Sequence, residues 1–365
     1  MILVVADDLS GAAELAGIAF AHGLTAEVQT ELQPRTDAQV ICLDTDTRRL
    51  ETEAAAARLR KLAHRIKAAS PEFIFKKTDS ALRGNIGTEL GVLLEITARV
   101  RAVFVPANPS RGRTIRGGEY WIGDTPLHET DFARDPQHPS TTANVAARLG
   151  NDPAITIPDA TTETDVLTAA GACDDLVLPA GAGDFFAALL ETRGHAAMPA
   201  EITAAAGPAL FVCGSLAAWG RGRSSQCETH GVPVCAMPAE LFGQSEHPAA
   251  LHAWVRSACA AIGEHGAVML AIGRIKAVER VPLLESRLAQ AMAMVLAQMD
   301  VARLLLEGGA TASAALRRLK WSRLSAVDLA AVDLPGLRVA EDGPRVFIKP
   351  GSYDWPDSVW PGEEN

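Results

Sequence analysis

Aromatic side chains make up only 5% of this chain, while alanine is abundant. Helices of that composition pack closely through small side chains. Cysteine is sparse and unpatterned. Cys42, Cys173, Cys213, Cys227, Cys235 and Cys259 form no CxxC pair and no Cys/His ladder. They read as small core residues in a reducing cytoplasm. The nine histidines are scattered, His128 and His138 among them, with no HxH or HExxH, which argues against a metal hydrolase. No apolar run approaches the ~20 residues that cross a bilayer. The first such run is broken at once by two aspartates, unlike a secretory signal. Positive charge is in deficit: the formal net charge of -10 argues against general affinity for nucleic acid or anionic membrane. GxxxxGK[ST] and GxGxxG are both missing, so there is neither a P-loop nor a Rossmann fingerprint. A soluble, cytoplasmic protein is expected.

At 365 residues, 48% of them apolar, the chain is long enough for two cores. Strand-like runs at Ile2–Val5, Ala38–Leu43, Phe73–Phe75 and Val100–Val105 alternate with helical stretches at Ser10–Ala21, Glu51–Ala69 and Thr88–Ala98. This βαβ rhythm predicts a parallel α/β sheet whose strand ends point the same way. Further short strands are expected at Ala154–Ile157, Leu176–Leu178 and Ala209–Val212. The boundary falls in Pro199–Pro208, giving domains 1–205 and 206–365. Arg111–Pro139 reads as a long irregular excursion, with a short hairpin near Arg113–Trp121. The tail Tyr353–Asn365 reads as partly disordered.

The most informative stretch runs from Ile74 to Gly87: an apolar lead, then Lys76, Lys77, Thr78, Asp79, Ser80, Arg83 and two glycines. Polar residues delivered at a strand's carboxyl edge usually meet a ligand. Lysine and arginine neutralise an anion, while aspartate and serine bond hydroxyls. The mix suits a small hydroxylated acid, with Arg48, Lys76, Lys77, Arg83, Arg111, Arg113 and Arg116 as candidates for a local basic pocket. Asp7 and Asp8 end the first strand in the same way. Adjacent carboxylates there are costly unless they bind something, although one of them could simply cap the helix.

Three glycine turns follow the boundary: Gly214-Ser215, Gly308-Gly309-Ala310-Thr311 and Gly351-Ser352, each after an apolar strand. Backbone amides at such turns make anion sites. Gly181-Ala182-Gly183-Asp184 is similar to the anion hole and base of ribokinase-like sugar kinases. It sits mid-chain rather than near the end, so coincidence is the preferred reading.

Taken together these residues resemble the four-carbon acid sugar kinase family. The motifs carrying the resemblance are Ala6-Asp7-Asp8-Leu9-Ser10-Gly11-Ala12, Lys76–Glu89, Pro106-Ala107-Asn108-Pro109 with Gly112-Arg113-Thr114, and Gly123-Asp124 to Thr130. The resemblance implies two α/β domains with mainly parallel sheets and the active site in the cleft between them. The first domain would bind a sugar acid and the second ATP with Mg²⁺. It further implies a carbohydrate acid kinase that phosphorylates a terminal hydroxyl of threonate, erythronate or 3-oxo-tetronate. Asp7, Arg48, Lys77, Thr78, Asp79, Ser80 and Arg83 would touch substrate. Asp7, Asp8 and Asp79 are the candidates for the base, and Asp8, Asp79 and Lys77 stand as the catalytic set. Ser215, Gly308, Gly309, Ala310, Thr311 and Gly351 would line the nucleotide site, and no metal-ligand set is identified.

The second half departs from the family pattern. Ala310 replaces an acidic residue, and Pro350 deletes an amide donor at the last turn. The alternative is therefore a sugar-acid-binding regulatory protein with a degraded ATP site. Small-molecule partners and a homodimer are expected.

Overall fold

The computed structural model describes residues 1–135, 138–199, 202, 206–215, 218–219, 222–273, 281–351 and 353–361. The chain divides into two compact units, Met1–Pro199 and Ala200–Asn365, and both are α/β.

In the first unit the elements are β1 (Ile2–Ala6), α1 (Leu9–Ala21), β2 (Ala26–Gln29), β3 (Val40–Asp44), α2 (Thr52–Ala69), β4 (Phe73–Lys77), α3 (Ile86–Thr97), β5 (Arg101–Val105), β6 (Arg113–Arg116), β7 (Glu119–Ile122), β8 (Thr125–Pro126), α4 (Val145–Arg148), β9 (Ile155–Thr156), α5 (Glu163–Gly171), β10 (Val177–Gly181) and α6 (Gly183–Thr192). The main sheet runs β2-β3-β1-β4-β10-β5-β9, all parallel. β1, β3 and β4 are buried along their whole length, as sheets covered on both faces require. Phe75 of β4 packs on Phe185 and Phe186 of α6, with ring centroids 6.0 and 5.1 Å away.

The chain order reverses at β1: β3 lies on one side and β4 on the other. Open parallel sheets bind ligands at the carboxyl ends beside such a reversal. Ala6, Asp44 and Lys77 stand in register there, so the segments that follow all three strands emerge at one place.

Three sequence expectations change. β4 continues through Lys76 and Lys77, so these lysines belong to the strand and not to a loop. Lys76 is 0% exposed and its Nζ lies 2.6 Å from Glu89 Oε2, which makes it a core ion pair rather than part of a basic pocket. β2 was not predicted, because Glu27 and Gln29 break its apolar pattern. They satisfy each other instead, with Gln29 Nε2 donating to Glu27 Oε2 at 2.9 Å. The excursion holds a three-stranded antiparallel sheet, β6-β7-β8, which includes the expected hairpin.

The second unit contains β11 (Ala209–Cys213), β12 (Val234–Ala236), β13 (Ala267–Ala271), β14 (Arg303–Glu307), β15 (Arg323–Ala331), β16 (Leu334–Arg338) and β17 (Arg345–Lys349). Parallel strands run β12-β13-β11-β14-β17, and β16 and β15 extend them antiparallel. The β15–β16 hairpin was not expected.

The tail reading is also corrected over its described part. Trp355 is edge-on to Phe211 at 6.0 Å, and Trp360 stacks on Phe211 at 4.9 Å and on His230 at 4.5 Å. Both tryptophans are buried in the core. Residues 362–365 of the tail lie outside the described residues. Trp360→Ala is expected to lower the stability of this unit by about 3–5 kcal/mol; thermal unfolding measures it. Among the described residues no helix is long and apolar enough to cross a membrane.

Candidate functional site

The loop after β3 folds back over β1. Thr47 and Arg48 donate their amides to Asp7 O at 3.0 and 3.1 Å. Thr45 Oγ1 donates to Ala6 O at 2.8 Å. This sets the Arg48 guanidinium among three carboxylates. Its Nε and Nη2 donate to Asp7 Oδ2 and Oδ1, both at 2.8 Å, and its Nη1 donates to Asp8 Oδ2 at 2.6 Å. The same Nη1 lies 3.4 Å from Asp79 Oδ1.

Asp79 accepts a second fork, from Arg83 Nε and Nη2 at 2.8 Å each, and the amides of Ala81 and Arg83 at 3.0 and 3.2 Å. The excursion backs both arginines. Arg83 sits 5.5 Å over the Phe132 ring and 3.6 Å from Asp135, and His138 Nε2 lies 2.8 Å from Arg48 O. Asp7, Asp8, Arg48, Asp79 and Arg83 thus meet at the carboxyl ends of β1, β3 and β4.

The three aspartates differ in acidity. Burial pushes Asp79 up, but Arg83 and Arg48 outweigh it and hold its carboxyl well below the ordinary 3.8. Burial likewise opposes Arg48 at Asp7, and the arginine prevails, so Asp7 is also lowered. At Asp8 burial wins over Arg48, with Asp7 repelling, and its carboxyl is raised. Asp8 also caps α1, accepting from Gly11 N at 2.9 Å and Ser10 Oγ at 2.8 Å. Nearby Asp44, buried and beside Asp46, is lifted to about 8.

Of the other candidates, Lys77 Nζ is 2.9 Å from Glu14 Oε2 and donates to Thr78 O at 3.2 Å. Thr78 donates its amide to Gly181 O at 3.0 Å. Its hydroxyl is buried with no hydrogen-bond partner among the described residues. Ser80 O accepts from Arg113 Nη1 at 3.0 Å and from Tyr120 OH at 2.6 Å, and Arg113 Nη1 also bonds Ser80 Oγ. Arg116 engages Thr114 and Gly123 in the small sheet instead.

The expected bare cationic clamp is therefore a lattice in which Arg48, Arg83 and Lys77 each already face a carboxylate. Glu14, Asp135 and His138 were missed by the sequence reading. Only Glu14 had a local signal, one helical turn beyond Gly11 on the capped helix.

In the second unit the three glycine turns converge. Cys213, Glu307 and Lys349 stand in register at the carboxyl ends of β11, β14 and β17. A Cβ at Gly214 would collide with Thr311 Oγ1, and one at Gly351 would lie 2.8 Å from Ser215 Oγ. Gly308 is the N-cap of the helix Gly309–Leu319, which begins with Gly309, Ala310 and Thr311. Ser352 lies outside the described residues.

Glu307 Oε1 accepts from Arg223 Nη2 at 2.7 Å and from Lys349 Nζ at 3.1 Å. Lys349 also donates to Pro350 O and Tyr353 O at 3.2 and 2.6 Å. Burial, only partly offset by Glu307, lowers the Lys349 ammonium to about 8. The turns and helix start fit a chain of phosphates. Among the described residues no group of three or more His, Cys, Asp or Glu side chains is placed to hold a metal ion.

Asp184, the base of the ribokinase-like reading, accepts from Ser110 N at 3.0 Å and Ser110 Oγ at 2.7 Å. It ties the first turn of α6 to the turn Pro109–Arg111. Asp184→Ala is expected to leave kcat within about threefold, because its carboxylate is taken up by Ser110, whereas removal of a general base would cost about 10²–10⁴-fold; steady-state kinetics separates the two.

The sugar-binding N-terminal domain family matches residues 2–154. The chain is 30% identical over 366 residues to the D-threonate kinase of Bordetella bronchiseptica, covering 89% of this chain and 86% of that protein. It is 32% identical over 183 residues to the D-erythronate kinase of Heliobacterium modesticaldum, covering 47% of this chain and 42% of that protein. A solved Haemophilus influenzae structure of the DUF1537 family shares the fold at TM-score 0.69 and 20% identity, covering 98% of each chain.

Proposed function

The chain belongs to the four-carbon acid sugar kinase family, and from that premise we propose that it transfers the γ-phosphoryl group of ATP to a terminal hydroxyl of a four-carbon sugar acid. The acid is of the threonate, erythronate or 3-oxo-tetronate type. The observation that carries this reading is the meeting of Asp7, Asp8, Arg48, Asp79 and Arg83 at one strand edge, with Asp8 raised while Asp7 and Asp79 are lowered.

In the proposed reaction the acceptor oxygen attacks the γ phosphorus. The bond from that phosphorus to the β–γ bridging oxygen breaks, and its electron pair leaves on ADP. The hydroxyl proton passes to Asp8, the most basic of the three aspartates. Asp7 and Asp79 hold Arg48 and Arg83 in place to meet the substrate's carboxylate and hydroxyls. Lys77, Thr78 and Ser80 complete the acceptor side.

Ser215, Gly308–Thr311 and Gly351 would hold the triphosphate through backbone amides and hydroxyls. Glu307 could offer Mg²⁺ its Oε2, which is buried and has no hydrogen-bond partner among the described residues, while its Oε1 is shared by Arg223 and Lys349. The magnesium in this proposal arrives on the phosphates.

The competing reading is a sugar-acid-binding regulatory protein that no longer uses ATP. It draws on Pro350, which offers no amide, and on Lys349, whose donors go to Glu307, Pro350 and Tyr353. Calorimetry with ATP and Mg²⁺, paired with an ADP-release screen over the three acids, separates the two. Nucleotide binding and turnover on at least one acid are expected. Heat with an acid but none with millimolar nucleotide would favour the regulatory protein. A homodimer is proposed for the assembly.

A further inference from the structure

We propose that Glu14 is a positioning residue that holds Lys77 away from Asp8, and that the Gly181–Asp184 turn helps to seat it. The inference rests on the kinase reading above. Glu14 lies on α1, and its Oε2 is 2.9 Å from Lys77 Nζ; the two side chains are only 13% and 3% exposed. A second Lys77 donor goes to Thr78 O, which leaves one N–H of three for a ligand oxygen.

The lysine stem and Asp8 meet across Gly11. A Cβ on Gly11 would stand 3.2 Å from both Lys77 Cγ and Asp8 Oδ1. A flexible ammonium beside two carboxylates pairs with whichever is better placed, and Glu14 supplies the pairing that spares the base. Behind Glu14 the room is tight: a Cβ on Gly183 would stand 2.8 Å from Glu14 Oε1 and 2.9 Å from Ile18 Cδ1. The glycine-rich turn that resembled a separate catalytic motif is thus the back wall of this pair.

The charged groups facing Glu14 are Lys77, Arg111 and Arg113, and those facing Asp8 are Arg48, Asp7 and Asp44. Burial opposes ionisation of Glu14, but Lys77 and the two arginines outweigh it and keep it anionic. With Glu14 neutralised, Lys77 turns to Asp8 and makes it a weaker base.

The test is kinetics of Glu14→Gln with ATP and the sugar acid that the wild type turns over. The expected result is a kcat about 10–100-fold lower, KM within about threefold, and an acid limb of the kcat–pH profile moved down by about one unit. Gly183→Ala, which displaces Glu14 without removing charge, is expected to move the limb the same way. It carries the test should Glu14→Gln fail to fold. Glu14→Asp, which keeps the charge, is expected to recover part of the rate.

A proportional loss at every pH with an unmoved limb would overturn the inference and mark Glu14 as merely structural. Wild-type kcat in Glu14→Gln would also overturn it while leaving the kinase reading intact. A wild type inactive on all three acids would overturn the kinase reading and the inference with it.

Discussion

Asp8→Asn should lower kcat by about 10²–10⁴-fold while changing KM little, the range expected when a general base is removed. Asparagine caps helices as well as aspartate does, so the bond from Gly11 N survives and α1 stays in place. The oxygen that accepts from Arg48 and Ser10 becomes an amide nitrogen, so the proton acceptor and that arm of the Arg48 pairing are lost together. The same change at Asp79 should behave differently. Asp79 accepts the Arg83 fork and two backbone amides, and its carboxyl is held well below the ordinary range. An acid that weakly basic is a poor proton acceptor but a firm anchor. Asp79→Asn is therefore expected to raise KM through a loosened Arg83 more than it lowers kcat. Single-turnover measurements on both variants separate the roles; near-normal chemistry in Asp8→Asn would remove Asp8 as the base.

The second large effect is on stability. In Arg48→Met the carboxylates of Asp7, Asp8 and Asp79 lose their shared counter-charge at 3%, 13% and 7% exposure. Removing one partner of a buried ion network costs about 3–5 kcal/mol, which in a unit of this size lowers Tm by on the order of 10 °C. The pH dependence distinguishes this cause from simple loss of packing. In the wild type, Asp7 and Asp79 titrate below their unfolded value of 3.8. Their stabilisation is full above that value and is lost as pH falls through the folded values. Without Arg48, the buried Asp7 and Asp8 bind protons more tightly folded than unfolded, while Asp79 keeps the Arg83 fork, so stability falls as pH rises above about 4. The gap in Tm between variant and wild type should be widest near neutral pH and narrow toward pH 4. A gap independent of pH would mean that the guanidinium acts by packing alone.

Much of the first unit was legible because its signals are local. Apolar leads into Asp7-Asp8 and into Lys77–Arg83 mark strand ends, and parallel strands bring such ends to one edge whatever else the chain does. The glycine turns after β11, β14 and β17 were legible for the same reason. Illegible features depended on distant partners. Lys76 looks like Lys77 in sequence, yet only Lys76 meets Glu89 in the core. Glu27 and Gln29 hide β2 because their satisfaction is mutual. His138 reaches Arg48 across 90 positions of chain, and nothing near either residue announces it. The aspartates' differing acidities follow from which of them the two arginine forks meet, and spacing does not reveal that.

Incubating the wild-type protein with ATP, Mg²⁺ and D-threonate, D-erythronate or 3-oxo-tetronate, and following phosphorus by NMR, reads the transfer itself. At least one acid should yield ADP and, in equal amount, a phosphomonoester signal split by two attached protons, the mark of a terminal CH₂ group. ATP left unconsumed with all three acids, or hydrolysed only to inorganic phosphate, would contradict the proposed transfer.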